Sequence, residues 1–396
     1  MRGVRQIVEF SWASLNKYGE ELCGDSVMIR SKPDSFVAVL SDGLGSGVKA
    51  HILSTLTSEI ASRMFESGSS IEDVMQTLAE TLPECSVRKL AYATFAVLTV
   101  SEGKEAHLVL FDSAPLILVR NGAIVNLPLE ERMVGDRMIR EVRFPLQQND
   151  FMVLISDGYE HAGLGGIYRL GWRWPNIASS VQRFVQAGIV DTFKLTQALS
   201  NTCLKLYEDK PGDDATAICM KVRPAISATV LTGPPANKDL DDFAVKRFMS
   251  APGEKIICGG STAQMVARVL KEDLVVDWIP PAKRKKGSPR QKKGSPPMAF
   301  LKGVDLVTEG ILTLGQAAEI LRVSKTVYDL PKDDDASTRL ARSLLRADDI
   351  HFIVGSAINP NQVADIIRGE PMRMVYIREL VQVLSRHDKY VEVEKV

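Results

Sequence analysis

The sequence predicts an α+β chain of two domains, one built on antiparallel sheets covered by helices and a smaller α/β one after it. Three observations carry that expectation. The chain has 396 residues, more than one ordinary domain and about enough for two. In the first half, short apolar runs follow one another and helical periodicities come in pairs, which suits antiparallel sheets better than a doubly wound sheet. After Arg223-Pro224, strand-like and helix-like segments alternate, as in a parallel sheet. The expected domains are 1–223 and 225–396.

Residues 4–10, 26–31 and 35–41 read as strands, rich in β-branched residues and bounded by turn formers. Val48, Ile52, Leu53, Leu56, Ile60 and Met64 fall on one arc of a 3.6-residue wheel, which predicts a helix buried along that arc. A second helix starts at Ser70, with Asp73 placed as its capping-box acid. Strands follow at 91–100, 106–111 and 115–120, and the last pairs with 123–127 through Asn121-Gly122, a type I′ hairpin signal. Further strands are expected at 138–144 and 151–156, helices at 175–187 and 191–207, and a strand at 214–222. In the second domain, strands at 226–232, 254–258, 303–307 and 350–354 alternate with helices at 239–250, 261–270, 313–322, 335–346 and 361–368.

Composition narrows the function. Apolar residues make up 45% and charged residues 25%, so both halves can bury a core. Lys plus Arg and Asp plus Glu are 49 each, so no global field points to nucleic acid or a membrane. The local exception is 281–297, PAKRKKGSPRQKKGSPP, with seven Lys/Arg and no acid. It has no aromatics for base stacking and reads as a solvated loop. Cys23, Cys85, Cys203, Cys219 and Cys258 are odd in number and form no CxxC, which argues against a disulfide framework or a structural zinc. No stretch reaches 18 uninterrupted apolar residues, and the N-terminus lacks the apolar run of a signal peptide. The expectation is a cytoplasmic protein.

Four acidic turns carry the chemistry. They are Gly24-Asp25, Asp42-Gly43-Leu44-Gly45-Ser46-Gly47, Asp157-Gly158-Tyr159-Glu160 and Gly212-Asp213-Asp214-Ala215-Thr216, each at the end of an expected strand. Any one alone is an ordinary turn. Together they offer carboxylates and backbone carbonyls without His or Cys, the ligand set of hard cations such as Mg²⁺ and Mn²⁺. The missing side chain at Gly43 would let its carbonyl approach such an ion. DGLGSG also has the look of a phosphate-cradling loop, but it lacks the Lys-Ser/Thr of a P-loop.

In this order the motifs resemble the metal-dependent protein phosphatases of the type 2C superfamily, most closely the stage II sporulation protein E-like bacterial branch, over about residues 1–223. The resemblance implies an α-β-β-α sandwich with two divalent cations, Mn²⁺ or Mg²⁺, in a cleft at one edge. It implies that Asp42 bridges the two cations, that the Gly43 carbonyl binds one and that Asp157 and Asp213 bind the other. Asp25 matches the early acidic position, and Asp214 a position that is Asp or Asn in the family. It further implies hydrolysis of phosphoserine or phosphothreonine in a partner protein by a metal-activated hydroxide, in a bacterial signalling role. Three departures stand out. Leu44 replaces a His of many eukaryotic members, Lys49 falls where an acid is frequent, and the N-terminal segment has no Arg at the eukaryotic phosphate-binding position. His51 and His161 read as structural residues near the site.

The second domain says less. Cys258-Gly259-Gly260-Ser261-Thr262 and Gly355-Ser356 each join a strand to an expected helix, as an anion site or simply as a helix cap. Residues 225–396 are expected to be a regulatory or partner-binding module. The competing readings are a non-catalytic phosphatase-fold sensor or scaffold and, last, a nucleic-acid binder using the basic loop. A homodimer is compatible with the sequence, which fixes no oligomeric state.

Overall fold

The structure, a computed structural model, describes residues 5–82, 93–277, 298–327, 329–357, 366–367 and 370–396. It divides into two compact units, Met1–Pro224 and Ala225–Val396. The first runs β1 (Gln6–Leu15), β2 (Asp25–Lys32), β3 (Ser35–Gly43), α1 (Gly47–Glu66), α2 (Ile71–Thr81), β4 (Ala93–Ser101), β5 (Glu105–Phe111), β6 (Ile117–Arg120), β7 (Ala123–Val125), β8 (Glu130–Val134), β9 (Arg137–Pro145), β10 (Phe151–Ile155), α3 (Asp157–His161), α4 (Trp174–Gln186), α5 (Thr192–Leu206) and β11 (Ala215–Pro224). Two antiparallel sheets result, one ordered β2-β3-β4-β5-β9-β8 and the other β1-β11-β10-β6-β7.

The pleat sorts each strand between two cores. Phe36, Ala38 and Leu40 of β3 pack between the sheets with Met152, Leu154, Ile218 and Met220. Their neighbours Val37 and Val39 point the other way, toward Val74 and Leu78 of α2. On the far side, Val153, Ile155, Ala217 and Cys219 pack against Ile177 and Val181 of α4 and Leu195 and Leu199 of α5. Both faces of each sheet are covered, so these strands read as unbroken apolar runs instead of alternating ones. Each fully buried aliphatic side chain contributes about 1.5–3 kcal/mol. The unit is an α-β-β-α sandwich.

Local signals hold where turn chemistry is strict. Asn121 and Gly122 take φ of 51° and 75°, as a type I′ hairpin requires. The Ser70 side chain accepts a hydrogen bond from the Asp73 backbone N–H at 3.2 Å, capping α2.

The expected face of α1 is corrected in part, since Leu53, Ile60 and Met64 do pack against the core that includes Val74 and Leu78. Val48, Ile52 and Leu56 are exposed, at 61%, 47% and 39%. The buried face is Ala50, Ser54, Thr57, Ser58, Ala61 and Ser62. Small residues let the helix backbone lie close on the sheet, and the serines satisfy their hydroxyls within the helix. Ser54 Oγ donates to the His51 carbonyl, Ser58 Oγ to that of Thr55 and Ser62 Oγ to that of Glu59. Strand β8 and the short helix α3 add to the expected elements, and residues 91–92 of the expected 91–100 strand lie outside the described residues.

The second unit runs β12 (Ser227–Thr232), α6 (Asp241–Ser250), β13 (Glu254–Cys258), α7 (Gly260–Leu270), β14 (Val275–Asp277), β15 (Met298–Phe300), β16 (Leu306–Thr308), α8 (Ile311–Val323), α9 (Ala336–Arg346), β17 (Asp349–Val354), β18 (Ile366–Ile367), β19 (Glu370–Pro371), α10 (Met372–Arg386) and β20 (Tyr390–Lys395). Strands β16-β13-β12-β17-β20 are parallel. The expected purely parallel sheet becomes mixed, because β14 and β15 extend the β16 edge in antiparallel pairing. Val245, Phe248, Met265 and Val266 of α6 and α7 cover one face. Leu314, Leu340, Leu344, Leu380 and Leu384 of α8, α9 and α10 cover the other.

Three further expectations change in this unit. The strand expected at 303–307 is Leu306–Thr308. The helix expected at 361–368 lies mostly outside the described residues, and its described part, Ile366–Ile367, is a strand paired with Glu370–Pro371. Helix α10 and strand β20 were not expected, although Ile377, Leu380 and Leu384 have helical spacing and are buried. The basic stretch 281–297 lies outside the described residues. Among the described residues no helix is long and apolar enough to cross a membrane.

Candidate metal centre

The space between the sheets is apolar until its end, where the same inward-facing rows turn acidic. In β3 the row Phe36, Ala38, Leu40 continues to Asp42. Asp42 lies directly opposite Asp25 in the β2–β3 register, and cross-strand partners share a face. In the other sheet the row through Leu154 ends at Ser156, and the row through Ile218 runs out through Thr216 to Asp214. Ser156 joins the two sheets here. Its hydroxyl donates to Asp25 Oδ2 at 2.7 Å and accepts from the Thr216 backbone N–H at 2.9 Å.

Asp157 opens α3 directly after Ser156. Asp213 and Asp214 precede β11, where Asp213 Oδ1 accepts from the Asp214 backbone N–H at 3.1 Å. All five aspartates named from the sequence, Asp25, Asp42, Asp157, Asp213 and Asp214, therefore meet at one edge of the sandwich. Asp157, Asp213 and His161 offer ligand atoms within 4.8 Å of one another. His161 Nδ1 is 4.0 Å from Asp157 Oδ2, so this residue, read from sequence as structural, belongs to the cluster. His51 does have a structural bond, from Nδ1 to the Cys23 carbonyl at 2.8 Å.

The electrostatics are those of crowded carboxylates, with the Lys17 charge opposing the rise at Asp213. Burial, and next the charges of Asp25, Asp157 and Asp213, push the Asp42 carboxyl up to about 9. Asp25 rises to about 7, mainly through burial, and Asp214 and Asp157 add to the rise. Asp213 is also raised, by burial first and Asp157 next. Among the described residues no Lys or Arg side chain pairs with any of the five aspartates. Asp25 Oδ1 and Asp214 Oδ2 are buried with no hydrogen-bond partner. Orphaned buried carboxylate oxygens are costly unless something binds them.

The glycines have a packing reason that the sequence did not reveal. A methyl group on Gly43 would lie 2.0 Å from the Ala50 carbonyl oxygen, and one on Gly158 would lie 2.0 Å from that of Asp214. Each Asp-Gly pair thus lets its backbone press against the next element, which fixes where the aspartate stands.

A cavity of about 490 Å³ opens beside the cluster. Its charged lining is Asp42, Asp112, Asp157, Glu160 and Arg140. The sequence reading did not include Asp112, Glu160 or Arg140 among the site residues. Glu160 stands inside the third acidic motif, and Asp112 is a turn residue with φ of 45°. Arg140 lies in β9, and nothing in its local sequence marks it.

The family model described as stage II sporulation protein E (SpoIIE) matches residues 32–223. The first unit is SpoIIE-like. Asp42, Asp157, Asp213 and Asp214 fall inside the matched region, and Asp25 lies just before it. Solved structures similar to the chain include the PP2C phosphatase domain with a regulatory-domain fragment of the cell fate determinant SpoIIE from Bacillus subtilis, at 18% identity and a TM-score of 0.46, over 56% of this chain and 64% of that one. RsbX in complex with magnesium matches at 17% identity and a TM-score of 0.41, over 54% of this chain and 95% of that one. The catalytic domain of the serine threonine protein phosphatase PstP, in complex with two manganese ions, matches at 14% identity and a TM-score of 0.39, over 55% of this chain and 99% of that one. No curated protein matches the chain.

Proposed function

We propose that the SpoIIE-like unit is a Mn²⁺- or Mg²⁺-dependent phosphatase acting on phosphoserine or phosphothreonine in a protein substrate. The observation that carries this reading is the meeting of five aspartates, two with orphaned buried oxygens, beside an open cavity. An all-carboxylate and carbonyl donor set suits hard divalent cations. Asp42, the Gly43 carbonyl, Asp157 and Asp213 would hold such ions. Asp25 and Asp214 would complete the set. The ions, when bound, supply a hydroxide near neutral pH for attack on phosphorus.

The chain's own residues do the rest. Ser156 holds Asp25 in place from the opposite sheet, so the site depends on the two sheets being packed together. The Tyr207 hydroxyl donates to the Gly158 carbonyl at 2.6 Å, tying the Asp157 turn to the end of α5. Among the described residues a cysteine nucleophile is disfavoured. Burial pushes the thiols of Cys23, Cys203, Cys219 and Cys258 up to about 12, so none is a thiolate at neutral pH. Residues 225–396 enter this reading as an accessory unit, and a chain ending at Pro224 with unchanged turnover, substrate preference and oligomeric state would remove them from it.

The test is hydrolysis of para-nitrophenyl phosphate and a phosphoserine peptide with Mn²⁺, with EDTA, and by Asp42→Asn. Turnover that requires Mn²⁺ and disappears in both controls is the expected result. Turnover that survives EDTA or the substitution would overturn the assignment.

A further inference from the structure

We infer that Arg140 is the phosphate-binding cation of this site, gripping the phosphoryl group of a phosphomonoester substrate and, after reaction, inorganic phosphate. The inference rests on the phosphatase reading above and names the residue that recognises the substrate's charged end. Five charged residues line the cavity, and Arg140 is the only cation among them. A phosphomonoester dianion entering past Asp42, Asp112, Asp157 and Glu160 needs positive charge beyond what ions on the aspartates provide. A guanidinium supplies it as a planar fork of N–H donors that matches two phosphoryl oxygens.

The side chain is held but not neutralised. Arg140 sits in β9, opposite Leu110 of β5 and Glu131 of β8. Its Nη2 donates to the Ser113 carbonyl at 2.5 Å, and Ser113 is itself part of the cavity wall. One donor thus fixes the guanidinium to the 112–115 segment. Among the described residues no carboxylate pairs with it. Its neighbours in the same two strands differ, since Arg132 pairs with Glu72 and Glu141, and Arg137 with Asp136. Positively charged at any working pH, Arg140 cannot serve as the proton donor to the leaving group. Its role is binding.

The experiment compares the full chain with Arg140→Gln and Arg140→Lys, all loaded with Mn²⁺. Calorimetry measures inorganic phosphate binding, and steady-state kinetics use the phosphoserine peptide. Arg140→Gln is expected to weaken phosphate binding and raise KM by roughly 10- to 100-fold, the scale of a lost charge-assisted hydrogen-bond pair. Mn²⁺ affinity should stay within about twofold, because the guanidinium opposes no metal ligand directly. Arg140→Lys should recover part of the loss, keeping the charge without the fork. Unchanged phosphate affinity and KM in Arg140→Gln would overturn the inference. So would a fall in kcat alone, which would make Arg140 a brace for the 112–115 wall. A wild-type chain that binds phosphate through Arg140 but hydrolyses nothing would overturn the phosphatase reading and leave this one standing. A wild-type chain that binds no phosphate would overturn the inference itself.

Discussion

Strand β10 has a buried acid at its start and meets another at its end, and the two are treated in opposite ways. At its start, Asp150 is fully buried, yet it accepts from Arg120 Nε at 2.8 Å, from Arg120 Nη2 at 2.7 Å and from the Gln147 backbone N–H at 2.8 Å. At its end, Ser156 reaches Asp25, which is 5% exposed, has one orphaned oxygen and shares its surroundings with other aspartates. Five residues of strand, roughly 17 Å, separate a carboxylate that completes the fold from carboxylates that burden it. A buried acid given its own guanidinium is a structural device. Buried acids gathered with none make sense as ligands for a cation that is not part of the chain.

Asp42→Asn should have the largest effect on the acidic end of β10. Turnover should fall by at least about 100-fold, the upper range for disturbing a metal site's outer partners. The metal-free protein should melt at a higher temperature, because a crowded carboxylate is gone. A variant whose melting temperature drops, in EDTA, would mean that Asp42 stabilises the fold as Asp150 does.

Arg120→Ala comes next. It leaves Asp150 buried without its partner and should cost roughly 3–5 kcal/mol of stability by denaturant unfolding. The rise in melting temperature on adding Mn²⁺ should be preserved. If that rise disappears, the two ends of β10 are not independent.

The pH dependence of metal-free stability sharpens the contrast. Asp25 and Asp42 titrate in the fold near about 7 and about 9, against roughly 3.9 when unfolded. Between these limits the folded chain holds more protons than the unfolded one, so stability is greatest below about pH 4 in this respect and is lost as pH rises through 7 and then 9. Thermal melts in EDTA should therefore fall from pH 5 to pH 9, and Mn²⁺ should flatten the fall. A rising curve in EDTA would contradict the unpaired state of these acids.

Ser70→Ala gives the smallest effect and the baseline. Loss of the α2 cap should cost about 1 kcal/mol, with no change in the response to Mn²⁺ in the same melts.

The sequence made the acidic positions legible because each is coded by local turn chemistry. Asp-Gly beside a strand end is a short-range signal, and four of them in order are more informative than any one. The hairpin at Asn121-Gly122 and the cap at Ser70 were readable for the same reason, since both depend on what a few consecutive residues allow. The close approach of His161 to Asp157 was less readable, because it depends on residues 157–161 turning helical and so placing the two one turn apart.

The two-part division, the paired helices over antiparallel strands and the five clustered aspartates were all legible in the order of residues along the chain. The buried face of α1 and the cation that lines the cavity came instead from packing. The buried face of α1 is set by how closely its backbone approaches Gly43 and the sheet, and that contact favours Ala and Ser over the apolar arc of Val48, Ile52 and Leu56. Arg140 reaches the site because β9 pairs beside β5, bringing it to Ser113 from 27 residues away in sequence. Neither fact has a local code, because each depends on packing between segments distant along the chain.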